Sequence, residues 1–300
     1  MVHKYILDAI SQHALPQDFT RAVSDHYAPV AASIAKRYQT KGTPLLVGIQ
    51  GTQGSGKSTM ADFTQLLLQH EHNLNVAVVS IDDFYHTAAT RQQLAAEVHP
   101  LLATRGVPGT HDLALAFSTL HALSRLESGE TLAIPRFNKA IDDRAPQAQW
   151  PQVNGPVDVI IFEGWCIGIG PQTDSEVIHP MNKLELEEDP DGTWRQYVNT
   201  QLAGDYAKLF NMLDYLVVIT APSFDVVFEW RSLQEQKLAA KLKDAPPEQQ
   251  AKIQTEAQLR RFIAHYQRLT CHGLQHLPAQ ADWVLHLDEH HRITGSQHNS

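Results

Sequence analysis

Eight consecutive residues, Gly51-Thr52-Gln53-Gly54-Ser55-Gly56-Lys57-Ser58, satisfy G-x-x-x-x-G-K-[ST] at every fixed position. Glycines let the backbone wrap tightly, so that successive N–H groups point inward at a polyphosphate. A helix opening near Lys57 would add its positive dipole end to the same anion site. Lys57 would then reach the β- and γ-phosphates, the Ser58 hydroxyl would ligate Mg²⁺, and Thr59 would continue the turn beside them. At ordinary residue usage, about one chain in a hundred of this length would match by chance. The position of the motif, after an apolar run and before a helical pattern, narrows that further. The sequence therefore predicts nucleotide binding.

A phosphate cradle does not by itself choose a reaction. Ser80-Ile81-Asp82-Asp83-Phe84-Tyr85 closes a second apolar run, where a carboxylate can face the terminal phosphate. Neighbouring residues of an extended segment point to opposite sides, so the two aspartates should divide their work. One can take the proton of a substrate hydroxyl or touch the Mg²⁺ shell, while the other caps a turn or meets solvent. A third run, Ile160-Ile161-Phe162-Glu163-Gly164-Trp165, ends on an acid suited to hold Mg²⁺ through a water. Asp158, at the other end of that run, reads as structural. Positive charge to hold an anionic acceptor and neutralise the transition state would come from Arg105, Arg136, Lys139 and Arg144 in the loops, and from Arg231 after a fourth run. No Asn-Lys-x-Asp guanine-reading segment occurs, which disfavours a GTPase.

The elements that must position these groups show as short apolar runs at 44–50, 75–81, 157–162, 214–219 and 281–287, near-continuous as strands buried on both faces are. Helical patterns lie near 57–70, 112–126, 194–211, 224–243 and 247–268. Strands separated by crossover helices predict an α/β fold, a three-layer α/β/α sandwich around a mostly parallel sheet, with binding residues at the carboxyl ends of the strands. One domain over 1–300 is expected, with an N-terminal helical segment (1–42, broken at Pro16 and Pro29), substrate-side loops and a helix (98–156), and a lid with C-terminal helices (222–268). The stretches 129–156 and 163–193 read as irregular, 244–250 as a break between helices, and the tail after Arg292 as frayed.

Composition sets outer bounds. Acidic residues number 33 against 24 basic ones, a net charge of −9, and the basic residues are scattered. This excludes a nucleic-acid surface and a polybasic membrane patch. Two cysteines, Cys166 and Cys271, cannot build a disulfide framework, and Cys166 reads as a buried, inert thiol. The seventeen histidines form no His-Glu-x-x-His or Cys/His cluster, so no transition-metal site is expected. Without a signal-peptide layout or a run of membrane-spanning length, the expected setting is the cytoplasm, as a monomer or homodimer acting on a small molecule.

Together, the segment Gly51 to Thr59, Ser80 to Tyr85, Arg105-Gly106-Val107-Pro108-Gly109-Thr110-His111-Asp112, Pro135-Arg136-Phe137 with Lys139, Asp143-Arg144, Trp150-Pro151 and Phe162 to Trp165 resemble D-glycerate 3-kinase. That is a branch of the P-loop kinases that includes phosphoribulokinase, uridine kinase and bacterial-type pantothenate kinase. The likeness covers most of 45–170. It implies transfer of a phosphoryl group from ATP, with Mg²⁺, to D-glycerate, giving 3-phosphoglycerate. It also implies that Asp82 is the base, that Glu163 supports magnesium, and that Arg105, His111 and Arg136 lie on the substrate or phosphate side. Asp83, Tyr85, Lys139 and Arg144 are counted with the acceptor, and Arg231 with a lid. Plant-type members carry a longer segment between Pro-Arg-aromatic and Asp-Arg, with Asp where this chain has Asn138. The alternatives are a kinase for a nucleoside, pantothenate or a sugar phosphate, and an ATP-binding regulatory protein with little turnover.

Overall fold

The computed structural model describes residues 3–241 and 254–299; the break expected at 244–250 lies outside them. Six strands form the central sheet. They are β1 (Leu45–Gly51), β2 (Val76–Ser80), β7 (Val159–Gly164), β8 (Tyr215–Thr220), β9 (Trp283–Leu287) and β10 (Ile293–His298), in the spatial order β10-β9-β8-β1-β7-β2. All neighbours run parallel except β10, which returns antiparallel along β9. Side chains alternate between faces along each parallel strand. Leu45, Val47, Ile49, Val159 and Ile161 pack beneath the helices Ala28–Lys41 and Lys57–His72. Leu46, Ile160 and Phe162 pack against the opposite layer, which includes the helices Leu113–Leu123, Thr193–Gln201 and Glu256–His276. Burial on both faces is why these strands are nearly all apolar.

The register sets the site. Glu163 on β7 stands opposite Ile49, two residues before the end of β1, and Ser80, the last residue of β2. Asp158, at the far end, accepts from the Tyr38 hydroxyl (2.6 Å) and the Asn75 N–H (2.7 Å), a structural role.

Several expectations change. Residues 293–298 form an edge strand rather than a frayed tail, held by the β9 ladder although they are mostly polar. Within 129–156 the chain builds two small antiparallel pairs: β3 (Thr131–Ala133) with β6 (Gln152–Asn154), and β4 (Phe137–Asn138) with β5 (Asp143–Arg144). Within 163–193 it forms the short helices Asp174–Ile178 and Lys183–Glu188. A helix at Ala88–Glu97 is absent from the periodicity, since Arg91 is its one fully buried side chain. Pro29 does not break the N-terminal helix, because a wide π-turn at Val23–Tyr27 precedes it and it sits in the first turn of Ala28–Lys41, where a missing N–H costs little. The 194–211 pattern likewise carries a π-turn, Leu202–Tyr206. The last long helix runs Glu256–His276, extending eight residues beyond the sequence expectation of 268. No described helix is long and apolar enough to cross a membrane.

Candidate active site

At the end of β1, Gly54 and Gly56 take positive φ (82° and 86°) and the helix Lys57–His72 starts at once, so the glycine loop caps a helix N-terminus. A Cβ on Gly51 would lie 2.4 Å from Ser55 Oγ and 3.3 Å from Lys57 Cβ, so a larger residue would displace Ser55 within the loop. Thr52 Oγ1, Ser55 Oγ and the Gln53 amide are buried without a protein partner. These polar atoms and the dipole end suit a polyphosphate. Ser58 Oγ donates to Glu163 Oε1 at 3.1 Å, joining the loop to the tip of β7, while Glu163 Oε2 is buried and unpartnered. A hydroxyl and an unsatisfied carboxylate oxygen, side by side at a phosphate cradle, form an oxygen donor set of the kind Mg²⁺ takes.

Asp82 and Asp83 lie in a 3₁₀ turn, Ile81–Phe84, not in extended chain, so the turn rather than strand alternation separates them. Asp82 accepts from Lys139 Nζ (2.6 Å) and from the Tyr85 hydroxyl (3.0 Å). Burial pushes its carboxyl up, but the charges of Lys139 and Lys57 outweigh this and hold it at about 2, firmly ionised. Asp83 does not meet solvent. It is buried, with one oxygen on the Phe137 N–H (3.0 Å) and the other on Arg136 Nη1 (2.8 Å). Its burial outweighs these bonds and raises it to about 6. Asp83 thus fastens β4 beneath the turn, and Arg136, half exposed, keeps its remaining donors toward solvent.

The segment 104–112 closes the other side. His86 N–H bonds the Thr110 carbonyl and Asp112 N–H the Phe84 carbonyl, bringing Tyr85 alongside His111. Their rings stack at 4.4 Å, and both are buried. His111 Nδ1 lies 2.6 Å from the Tyr206 hydroxyl, whose oxygen already accepts from the Gly109 N–H (2.9 Å). The tautomer sets which of the two donates in that bond, and the other ring nitrogen, Nε2, is buried and unpartnered. Burial pushes the imidazole down to about 3, so it is neutral. Arg105 pairs with Asp142 and lies 5.6 Å over the Phe137 ring; Arg144 pairs with Asp112 (3.0 Å). Cys166 is fully buried, and burial pushes its thiol up, as an inert core residue.

Lys57, Ser58, Asp82, Tyr85, His111, Lys139 and Glu163 thus share one neighbourhood, and Arg105, Arg136 and Arg144 surround the Tyr85–Phe137 pair. Arg231 lies on the helix Phe224–Lys241, paired with Glu235 one turn on (3.1 Å), and its charge, like that of Asp82, acts on the Tyr266 hydroxyl. Four supporting groups carried no signal of their own in the sequence. Arg91 is buried and grips the carbonyls of His86, Ala103 and Asp142, tying three loops together. Tyr206 and Tyr266 arrive from distant helices, Tyr266 bonding the Arg105 carbonyl (3.2 Å). His291, in the β9–β10 turn, donates from Nε2 to the Gly54 carbonyl (2.9 Å) and stacks on Trp230.

Residues 46–181 match the phosphoribulokinase/uridine kinase family. The chain is 32% identical over 240 residues to an uncharacterized kinase of Schizosaccharomyces pombe, covering 78% of this chain and 82% of that one. It is 35% identical over 195 residues to the chloroplastic D-glycerate 3-kinase of Arabidopsis thaliana, covering 63% of this chain but only 40% of that protein. Among solved structures, a D-glycerate 3-kinase from Cryptococcus neoformans superimposes with a TM-score of 0.73 at 25% identity, over 91% of this chain and 97% of that one.

Proposed function

The chain belongs to the phosphoribulokinase/uridine kinase family of ATP-dependent kinases, and from that premise we propose that it phosphorylates D-glycerate, giving 3-phosphoglycerate. One observation carries the reading: an ionised Asp82 beside Lys57 and Lys139, at a rim where Arg105, Arg136 and Arg144 gather. A small acceptor with its own carboxylate accounts for that many cations in an acidic protein. The buried aromatic rings of Tyr85 and Phe137 offer no open face on which a nucleoside base could stack. Relatives named as D-glycerate 3-kinases support the same acceptor.

In this reading the backbone of 51–58 cradles the phosphates of ATP and Lys57 meets the β- and γ-phosphates. Ser58, Glu163 and Asp82 would hold Mg²⁺, which when bound neutralises charge on the phosphate oxygens. Arg136 and Lys139 take the acceptor carboxylate, Arg105 and Arg144 support the loops that carry them, and the unpartnered Nε2 of His111 orients an acceptor hydroxyl. Asp82 accepts the hydroxyl proton as the acceptor oxygen meets the γ-phosphorus and the bond to the β–γ bridging oxygen breaks, releasing ADP. Most of the acceleration then comes from positioning and charge, which suits a loose phosphoryl-transfer transition state. Arg231 would join from its helix as a lid residue on closure.

The test is ADP release with MgATP across D-glycerate, uridine, pantothenate and a sugar phosphate, with Lys57→Ala as the control. The reading expects release with D-glycerate that the control lacks. Release with a different acceptor alone would overturn the substrate and leave the kinase; silence with every acceptor would point to a regulatory nucleotide-binding protein.

A further inference from the structure

Away from the nucleotide site, the segment leaving β7 and the end of the last long helix bring three electron-pair donors together. His272 and His276 are four residues apart on the helix Glu256–His276 and so share one face; their rings touch at 4.4 Å. Glu176 comes from the helix Asp174–Ile178, and its carboxylate stands 3.9 Å from His272 Nδ1. That exceeds hydrogen-bond length, so the two groups meet without bonding. One donor atom from each of the three residues lies within 4.8 Å of the others.

We propose that Glu176, His272 and His276 bind one Zn²⁺ ion. The donor set, two imidazoles and one carboxylate, is of the kind Zn²⁺ takes with water in its fourth position. Tetrahedral bonds to zinc place neighbouring ligand atoms about 3.3 Å apart. The donors therefore need to close by at most about 1.5 Å, within reach of side-chain rotation at His276. Two features of the surroundings favour the ion. The Thr173 N–H (2.8 Å) and hydroxyl (2.6 Å) both donate to Glu176 Oε2, fixing the carboxylate so that Oε1 is the oxygen turned to the histidines. Such outer partners are how proteins orient metal ligands. His276 also sits in the last turn of a 21-residue helix, whose carbonyl end attracts a cation. Arg268, one turn before His272, brings little opposing charge, because its guanidinium is paired with Glu185 (2.6 Å). Zinc would then staple the chain that follows Glu163 to the helix that carries Tyr266. The sequence does not reveal the site, because two histidines four apart become ligands only when the distant Glu176 is folded against them.

Untagged protein, stripped of metal by chelation and saturated with MgADP to occupy the nucleotide site, is titrated with Zn²⁺ by calorimetry. A parallel titration with Co²⁺ is followed by visible absorption. The expected result is one Zn²⁺ per chain, a tetrahedral Co²⁺ spectrum, and a melting temperature that rises with Zn²⁺. Glu176→Gln and His276→Ala should each weaken binding by at least about tenfold to a hundredfold and remove the thermal shift. Should His272→Ala fail to fold, these two more exposed positions carry the test, with circular dichroism as the check on folding. Absence of one-to-one uptake at micromolar Zn²⁺, or equal affinity and stoichiometry in both variants, overturns the proposal.

Discussion

Asp83→Asn separates the chemistry of the site from the framework under it. In the folded protein burial raises the Asp83 carboxyl to about 6 from an ordinary 3.8, despite its bonds to Phe137 and Arg136. A carboxyl that holds its proton more tightly when folded adds stability at low pH, and loses it as pH rises through the folded value. Working the linkage from 3.8 and 6, the wild type gains about 1.4 kcal/mol from this group alone on going from pH 7.5 to pH 5. Asparagine cannot titrate, so the variant lacks that increment. Urea unfolding of both proteins at the two pH values reads it as a change in their stability difference, with every other titrating group cancelling. Near pH 7.5 the variant should be no less stable than the wild type by more than about 1 kcal/mol, because a buried charge is removed along with its bonds. A difference that is the same at both pH values would refute the assignment of Asp83 as a buried, raised carboxyl.

Asp82→Asn should cost stability at neutral pH, because the lowered carboxyl loses its ion pair with Lys139, and lower kcat by about 10²- to 10⁴-fold in the folded fraction, with little effect on the KM for ATP; a kcat within threefold of wild type would remove Asp82 from the chemistry. His111→Gln should flatten acid sensitivity, since a histidine lowered to about 3 supports folding above pH 6.5 and costs the wild type about 2 kcal/mol between pH 7.5 and 5. Parallel wild-type and variant urea curves over that range would show that His111 protonates freely. Ser58→Ala and Glu163→Gln should each raise the Mg²⁺ concentration for half-maximal turnover at least about tenfold, and an unchanged Mg²⁺ curve would release both from metal support. Gly106→Ala places a Cβ 2.3 Å from the buried Tyr266 hydroxyl at a φ of +142°, so it should cost about 1–3 kcal/mol by thermal unfolding and displace Arg105; an unaltered melting temperature would show that the loop yields freely.

The parallel strands could be read in advance because each is buried on two faces and so is written in a nearly unbroken apolar code. The phosphate loop was equally legible, since its chemistry is local: eight consecutive residues carry both backbone and side-chain requirements. Strand β10 was not, because an edge strand with residues such as Thr294, Ser296 and Gln297 is held by its neighbour's ladder rather than by burial. The two aspartates do take different surroundings, through a 3₁₀ turn rather than strand alternation, and the burial of Asp83 depends on Phe137 and Arg136 more than fifty residues away. Arg91, Arg195 and Arg268 look like surface charges in the sequence. Each is buried only because carbonyls and carboxylates elsewhere in the chain surround it, including Asp142, Asp189 and Glu185.

The loop cations are already paired before any anion arrives, and the pairing is unequal. Arg136 rests on Asp83, Arg105 on Asp142 and Arg144 on Asp112, all carboxylates that hold loop structure. Lys139 alone rests on Asp82, the group assigned to take the proton, and it is the most exposed of the four cations. An acceptor carboxylate entering the rim therefore competes with Asp82 for Lys139 and with nothing essential for the arginines. Drawing Lys139 away removes the stronger of the two charges that hold Asp82 near 2. The base would thereby gain proton affinity only when an acceptor is bound. On this arrangement Lys139→Ala loses acceptor affinity yet should raise the slow hydrolysis of ATP in the acceptor's absence, whereas Arg136→Ala loses affinity without that rise. Equal basal hydrolysis in the two variants, measured as ADP release without acceptor, would show that Lys139 is a ligand only and does not restrain the base.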